Sequence, residues 1–153
     1  MADIKQYATF TLGDMFIGVD VTQVQEVIRF QPMTRVPRAL AMIHGLINLR
    51  GQIVVAIDLR HRFGLPARAA DNLPMNVVVR TEDGPASLLV DDIGDVVDVQ
   101  DDTFESIPET LEGAARDLIT GVYKLDSRLL LILDTERAVS LPASPAQSLH
   151  ATG

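Results

Sequence analysis

An internal repeat constrains this chain more than any other feature. Residues 43–58 (IHGLINLRGQIVVAID) align without a gap on residues 119–134 (ITGVYKLDSRLLLILD). Isoleucine opens both copies, Gly45 matches Gly121, Leu49 matches Leu125, and Asp58 matches Asp134. Each copy reads as strand, turn, strand. The hairpins that precede them also correspond once a small gap is allowed. Val19-Asp20 falls on Val90-Asp91, and each pair is followed by a valine-rich stretch. A spacing of 76 residues is too long for a solenoid. Two copies imply a pseudo-twofold pair of small β-barrels. Either barrel alone is marginal in size, so the two should share an apolar seam.

The chain has 153 residues, enough for one domain of two small lobes that buries roughly 68–70% of its unfolded surface. Hydrophobic residues make up 47% and the mean hydropathy is +0.19, which argues for an ordered interior. Aromatics are only 5% and tryptophan is absent, so the core must be aliphatic. There is no cysteine, which excludes disulfides and thiolate zinc sites. The first residues carry neither a basic nor an apolar leader region. The longest strongly apolar runs, 53–57 and 129–133, have five residues, against the roughly 20 of a spanning helix. A cytoplasmic location is therefore expected. Net charge is −8 and unevenly placed. Residues 1–70 carry 8 basic against 5 acidic side chains, net +3, and residues 71–153 carry 5 against 16, net −11. An acidic whole lacks the basic footprint that nucleic acid requires. The asymmetry suits contacts with protein partners.

Period-two alternation predicts strands at 7–12 and 15–20 about a Gly13-Asp14 turn. From Thr22 to Arg29, Val24, Val27 and Ile28 fit a helix, but a strand is equally allowed. A helical turn capped by Thr22 and passing into a strand is expected. Pro32 and Pro37 punctuate an extended connection. Strands follow at 46–49 and 52–57 about Arg50-Gly51, then a short helix at 59–63 ended by Gly64 and Pro66, and a linker at 67–75. The pattern resumes with strands at 76–80, 87–90, 93–99, 118–125 and 128–133, and a helix at 134–139 capped by Asp134. Residues 100–117 read as a mostly irregular, exposed acidic loop. Barrel one should span about 7–66, barrel two about 75–133, within one domain at 7–139. Residues 140–153 are expected to be a mobile tail.

Catalytic motifs are missing. No Gly-x-Ser-x-Gly elbow, His-Glu-x-x-His pair or glycine-rich phosphate cradle occurs. His44, His61 and His150 lie far apart and read as structural or surface residues. No cofactor or metal is expected. Asp91, Asp92, Asp95, Asp98, Asp101, Asp102 and Glu105 are the one group that suggests a divalent-metal-dependent hydrolase. Their spacing is not that of a calcium loop. The interleaved Ile93, Val96, Val97 and Val99 read instead as strands with their acids on the wet side. Arg50 stands out, because a two-residue turn ordinarily takes Asn, Asp or Gly. A guanidinium there is either a plain surface charge or a partner-binding group, able to make bidentate contact with a carboxylate.

These residues resemble the CheW chemotaxis coupling proteins. The resemblance rests on Gly13-Asp14, Gly18-Val19-Asp20, Val24-Gln25-Glu26-Val27, Thr34-Arg35-Val36-Pro37 and residues 43–51. It continues through Ile57-Asp58-Leu59-Arg60, Phe63-Gly64-Leu65, Val90-Asp91-Asp92-Ile93, Val96, residues 118–121 and residues 129–134. It runs from about Tyr7 to Val139. It implies two SH3-like five-stranded barrels and a non-catalytic adaptor or scaffold. Such proteins couple the cytoplasmic tip of chemoreceptors (methyl-accepting chemotaxis proteins) to the regulatory domain of a CheA-type histidine kinase. They are cytoplasmic and recruited to membrane-associated receptor arrays. A scaffold of a non-motility chemosensory pathway fits the same resemblance. The receptor helix would lie in the groove between barrels, at positions that match Val24, Glu26, Asn48 and Arg50 here. For Arg50 the resemblance implies either a receptor contact or an internal brace for the groove. Kinase contacts would fall on barrel ends, at residues the resemblance does not name. Met15 and Phe16 depart from the family, where acidic residues often follow the first Gly-Asp.

Overall fold

The computed structural model describes residues 3–35, 43–69 and 71–140. Ten strands carry the fold: β1 (Ile4–Leu12), β2 (Met15–Asp20), β3 (Val24–Ile28), β4 (Ile43–Leu49), β5 (Gln52–Asp58), β6 (Met75–Thr81), β7 (Gly84–Val90), β8 (Asp92–Gln100), β9 (Ile119–Lys124) and β10 (Leu129–Leu133). Three short helices accompany them: α1 (Leu59–Arg62), α2 (Gly113–Leu118) and α3 (Thr135–Val139). Asp134 caps α3 through its carboxylate as expected, and Asp58, at the matching place in the repeat, caps α1 in the same way. The helical turn before β3 is a 3₁₀ turn, Val21–Gln23, but Asp20 caps it rather than Thr22. Residues 100–117 are not all irregular. They hold α2, and Ile107, Leu111, Ala115 and Leu118 pack onto the core. The expected tail lies outside the described residues apart from Ser140.

The strands form two five-stranded sheets. One has the order β8-β1-β2-β10-β9, the other β3-β6-β7-β5-β4. The sequential division expected at 66 and 75 is therefore not how the sheets are built. Shifting every strand by five converts one order into the other. The repeats are β1–β5 and β6–β10, and each lends its first hairpin to the other's sheet. The chain crosses between sheets twice, after β2 at Asp20 and after β7 at Asp91. The exchange places β2 parallel to β10 and β7 parallel to β5, whereas every other strand pair is antiparallel.

The repeat is kept in register. Asn48 pairs with Ile53 as Lys124 pairs with Leu129. Ile43 pairs with Ile57 and Gly45 with Ala56, while Ile119 pairs with Leu133 and Gly121 with Ile132, so the same irregularity recurs 76 residues on. The two glycines are matched for a steric reason. The chain beyond β3 returns to β4 at Thr34, which exchanges hydrogen bonds of 2.9 and 2.8 Å with Leu46. Beyond β8 it returns to β9 at Glu105, which does the same with Val122 at 2.8 and 2.9 Å. A Cβ at Gly45 would stand 2.8 Å from the Thr34 carbonyl oxygen, and one at Gly121 would stand 2.7 Å from that of Glu105. Each sheet is thus tied across its outer edge by a strand-like segment that passes over a glycine.

Three apolar clusters result. Tyr7, Val99, Tyr123, Leu130 and Ile132 fill one sheet's inner face, and Ile47, Leu49, Val54 and Val78 fill the other's. The largest cluster is the seam between sheets, where Phe10, Leu12, Ile17 and Val19 meet Val77, Val79, Leu88 and Val90, with Leu131, Leu133, Leu59 and Phe63 around them. Consecutive residues of β10 alternate between the first cluster and the seam, so this strand is buried on both faces. That explains an unbroken apolar run where a half-exposed strand would alternate.

The Asp91 crossover is held by charge. Its carboxylate accepts from the Gly13 amide at 2.8 Å, from Arg60 Nε at 2.8 Å and Nη2 at 2.6 Å, and from Arg68 Nε at 3.1 Å. Arg68 also lies 3.7 Å from Asp58. Burial alone would raise the Asp91 carboxyl. The Arg60 hydrogen bond, the Gly13 amide, the Arg60 charge and Arg68 outweigh it and bring it down to about 2.

Two outcomes follow. Gly45→Ala must displace the Thr34 backbone and should cost about 1–3 kcal/mol in urea unfolding, whereas the same change at a surface position stays within about 0.5. Because the folded state lowers the Asp91 carboxyl, its stabilisation is complete above the ordinary carboxylate range, near pH 4. It fades as pH falls through about 2. The stability gap between the parent and Asp91→Asn, measured by urea unfolding from about pH 5 to pH 2, should therefore narrow by about 2 kcal/mol toward acid.

Candidate functional site

The residues singled out in the sequence gather around β3 and the β4–β5 turn. Asp20 turns the chain from one sheet into the other by accepting from the Thr22 amide at 2.9 Å and its hydroxyl at 2.8 Å. Arg80 on β6 reaches across and donates to the carbonyls of Thr22 at 3.3 Å and Val24 at 3.2 Å. Val24 is the first residue of β3 and packs, half-buried, against the seam. An irregularity follows at once, since Val24 pairs with Val79 but Glu26 with Val78. Glu26 is consequently largely covered, with 20% of its side chain exposed, while Val27 faces solvent.

Arg50 and Gly51 form the two-residue turn between β4 and β5, with φ of +52° and +87°. Both central residues in the left-handed region are the mark of the turn that suits a twisted hairpin. Gly51 takes this conformation freely, but Arg50 does not. Asn48 stabilises the turn by accepting from the Gly51 amide at 2.8 Å. Arg50 then reaches Glu26 with both ends of its guanidinium, Nη1 lying 3.2 Å from Oε1 and Nη2 bonding Oε2. The hydrogen bond and the charge of Glu26 both hold the Arg50 guanidinium above its ordinary value.

The position of this pair gives it meaning. β3 and β4 are the two edge strands of one sheet, separated in the ladder by β6, β7 and β5. A fork between Glu26 and the β4–β5 turn therefore bridges edge to edge, on the same side of the ladder as the Thr34–Leu46 pairing. Within the chain, the contact of Arg50 is with Glu26. The Arg50 side chain stays 70% exposed, so the outer surface of the fork is accessible. The four predicted residues thus divide by task. Glu26 and Arg50 touch, Asn48 shapes the turn, and Val24 lies on the seam rather than on the fork.

The acidic stretch resolves differently. Asp92, Asp95, Asp98, Asp101, Asp102 and Glu105 are exposed, as a solvated face requires. Asp91 is not among them, because its neighbours are Arg60 and Arg68. Val96 also departs from the alternation and is 53% exposed. Among the described residues, no group of three or more His, Cys, Asp or Glu side chains is placed to hold a metal ion. Met15 and Phe16, where acids are common in the resembled family, pack inward. Met15 joins the seam, and Phe16 lies beneath the Arg128 guanidinium, 4.2 Å from its ring centre. Sequence reasoning missed Arg60, Arg68 and Arg80. The one available signal was that Asp91 occupies the place of Asp20 in the repeat, so a role in turning the chain was foreseeable.

Comparison with known proteins agrees with this geometry. Residues 6–142 match the model of the CheW-like domain. The chain is 32% identical over 146 residues to the chemotaxis protein CheW of Bacillus subtilis, covering 94% of both chains. It is 30% identical over 139 residues to the CheW of Treponema pallidum, covering 88% of this chain and 82% of the other. The crystal structure of the scaffolding protein TtCheW from Thermoanaerobacter tengcongensis superposes with a TM-score of 0.82 at 27% identity, over 94% of this chain and 97% of that one. With the family model spanning nearly the whole length and the same architecture in a solved relative, this chain belongs to the CheW-like domain family.

Proposed function

We propose that this chain is a non-catalytic chemotaxis adaptor that couples the helical cytoplasmic tip of a chemoreceptor to a CheA-type histidine kinase. Relatives similar over most of its length are named chemotaxis protein CheW, and a structural neighbour is described as a scaffolding protein. The observation that carries the reading is the pairing of a half-buried apolar residue at the seam, Val24, with the edge-to-edge fork of Glu26 and Arg50 two residues along the same strand. An amphipathic receptor helix needs an apolar groove of fixed width, and the fork fixes the strand that would form one wall. Asn48 serves the same wall through the turn. The kinase would use a separate surface at a barrel end. No helix among the described residues is long and apolar enough to cross a membrane. Recruitment to membrane-bound arrays would then run through the receptor.

The test is charge reversal on both sides of the fork. Glu26→Lys and Arg50→Glu should each weaken binding to an isolated receptor cytoplasmic fragment by roughly tenfold or more. Far-UV circular dichroism should stay unchanged, because an ion pair with its Arg50 side 70% exposed holds little of the fold. The double variant Glu26→Lys/Arg50→Glu re-forms the pair with its charges exchanged and should recover most of the affinity. Parent-like affinity in both single variants would sink the assignment. Failure of the double variant to recover would instead make one of the two side chains a direct receptor contact.

A further inference from the structure

The two crossovers between sheets occupy matching places in the repeat, yet they are held in different ways. Among the described residues, the Asp20 carboxylate bonds to the nearby Thr22 alone, and Lys5 stands 4.0 Å away. At Asp91 the carboxylate gathers groups from both sheets. From the β8-β1-β2-β10-β9 sheet come the Gly13 amide of the β1–β2 turn and, through the Asp91 amide, the Thr11 carbonyl at 3.1 Å. From the side of the β3-β6-β7-β5-β4 sheet come Arg60 of α1, which follows β5, and Arg68 of the segment leading to β6. Arg60 also donates to the Pro66 carbonyl at 2.9 Å, so the connection between repeats is strapped to the same point. Leu65 of that connection lies over Gly13 and packs on the seam. The cluster is well covered, with side-chain exposures of 17% for Asp91, 19% for Arg60 and 9% for Arg68.

We propose that Asp91 is a positioning residue, an inter-sheet clamp that sets the angle at which the two sheets meet across the seam. The apolar seam is non-directional and tolerates small rotations of one face on the other. Bidentate contacts between carboxylate and guanidinium are directional. Here one carboxylate with four donors pins a turn of one sheet to a helix and a connection of the other. The locally bonded Asp20 crossover leaves that angle to the clamp. Val24, four residues beyond Asp20, lies on the seam, so the width of the cleft at its rim follows from the same angle. That last consequence rests on the adaptor reading, but the clamp itself does not.

The absence of cysteine makes the test direct. Asp83→Cys in the β6–β7 turn and Asp126→Cys between β9 and β10 place one spin label on each sheet, at exposed side chains. Double electron–electron resonance on the full-length chain should give one narrow distance distribution. Adding Asp91→Asn should at least double its width under conditions where circular dichroism still reports a folded protein. Arg68→Gln, which keeps the Arg60 bonds, should broaden it less, and it serves as the reporter if Asp91→Asn does not fold. An unchanged width in a folded variant, even with a lowered melting temperature, would overturn the clamp and leave Asp91 a stabilising residue only. Broadening with parent-like binding of the receptor fragment would uphold the clamp and remove the groove from the adaptor reading.

Discussion

Everything in this fold depends on the chain crossing twice between its two sheets. A hairpin made in one repeat is handed to the other repeat's sheet, and the exchange is mutual. Neither sheet is built from the strands of one repeat. The apolar faces of both hairpins are therefore buried at the seam, where Phe10, Leu12, Ile17 and Val19 meet Val77, Val79, Leu88 and Val90. The parallel pairs follow from the same event, because an exchanged hairpin arrives beside a strand it did not fold next to. β10 then has a sheet interior on one side and the seam on the other. The four consecutive apolar residues Leu130 to Leu133 are a consequence of topology as much as of strand preference, while Leu129 is exposed.

Within this symmetric frame the two copies have diverged in their polar chemistry. The β3-β6-β7-β5-β4 sheet is braced across its edges by Glu26 and Arg50. Glu26 stands opposite Val78, and in the matching place of the other sheet Val97 stands opposite Tyr7. The residue that matches Arg50 in the repeat is Asp126. No such fork can form there. That side is closed by aromatic packing, with Phe104 5.2 Å from Tyr123 and Tyr123 5.5 Å from Tyr7, and by an exposed Lys124–Glu105 pair at 3.5 Å. Burial and the Tyr7 hydroxyl push the Tyr123 hydroxyl well above its ordinary value, so it stays neutral inside the sheet. One side is thus closed by a charged fork and the other chiefly by an aromatic stack around the buried Tyr7 and Tyr123.

What could be read from the sequence was what short-range physics decides. Period-two alternation, Gly13, Gly51 and the capping Asp134 placed the hairpins and the start of α3 close to where they are. The ungapped repeat gave the matching register of β4–β5 and β9–β10. Sheet membership was not legible, because it is settled by which distant strand a hairpin meets, and β1–β2 carries no local mark of pairing with β8 and β10. The helix α2 was hidden for a related reason. Gly113 and the surrounding acids read as loop, and only the packing of Ala115 and Leu118 on the seam makes the segment helical. Asp91 looked like one more acid in a solvated row. Its partners Arg60 and Arg68 stand more than twenty residues away in sequence, beyond the reach of any periodicity.

Arginine is the common currency of these long-range ties. Eleven of the thirteen basic residues are arginine. An aliphatic core with few aromatic rings fills space well but specifies angles weakly, and a pseudo-symmetric one offers near-equivalent ways to dock its halves. A planar guanidinium fixes both distance and orientation, which a lysine ammonium does not. The arginines here are placed where elements of different origin meet. Arg62 of α1 donates to the Ala138 and Arg137 carbonyls at the end of α3, joining the two repeats' helices at 3.1 and 2.5 Å. Arg137 returns the link by donating to the Asp117 carbonyl of α2 at 3.2 Å. Arg80 fastens the start of β3, Arg60 and Arg68 hold the Asp91 crossover, and Arg50 spans the sheet edges. The apolar seam drives the halves together, and the Asp91 fork selects one arrangement among those the seam would accept. An adaptor must present two surfaces in a fixed relation without chemistry of its own, so for such a protein the selected arrangement is the function.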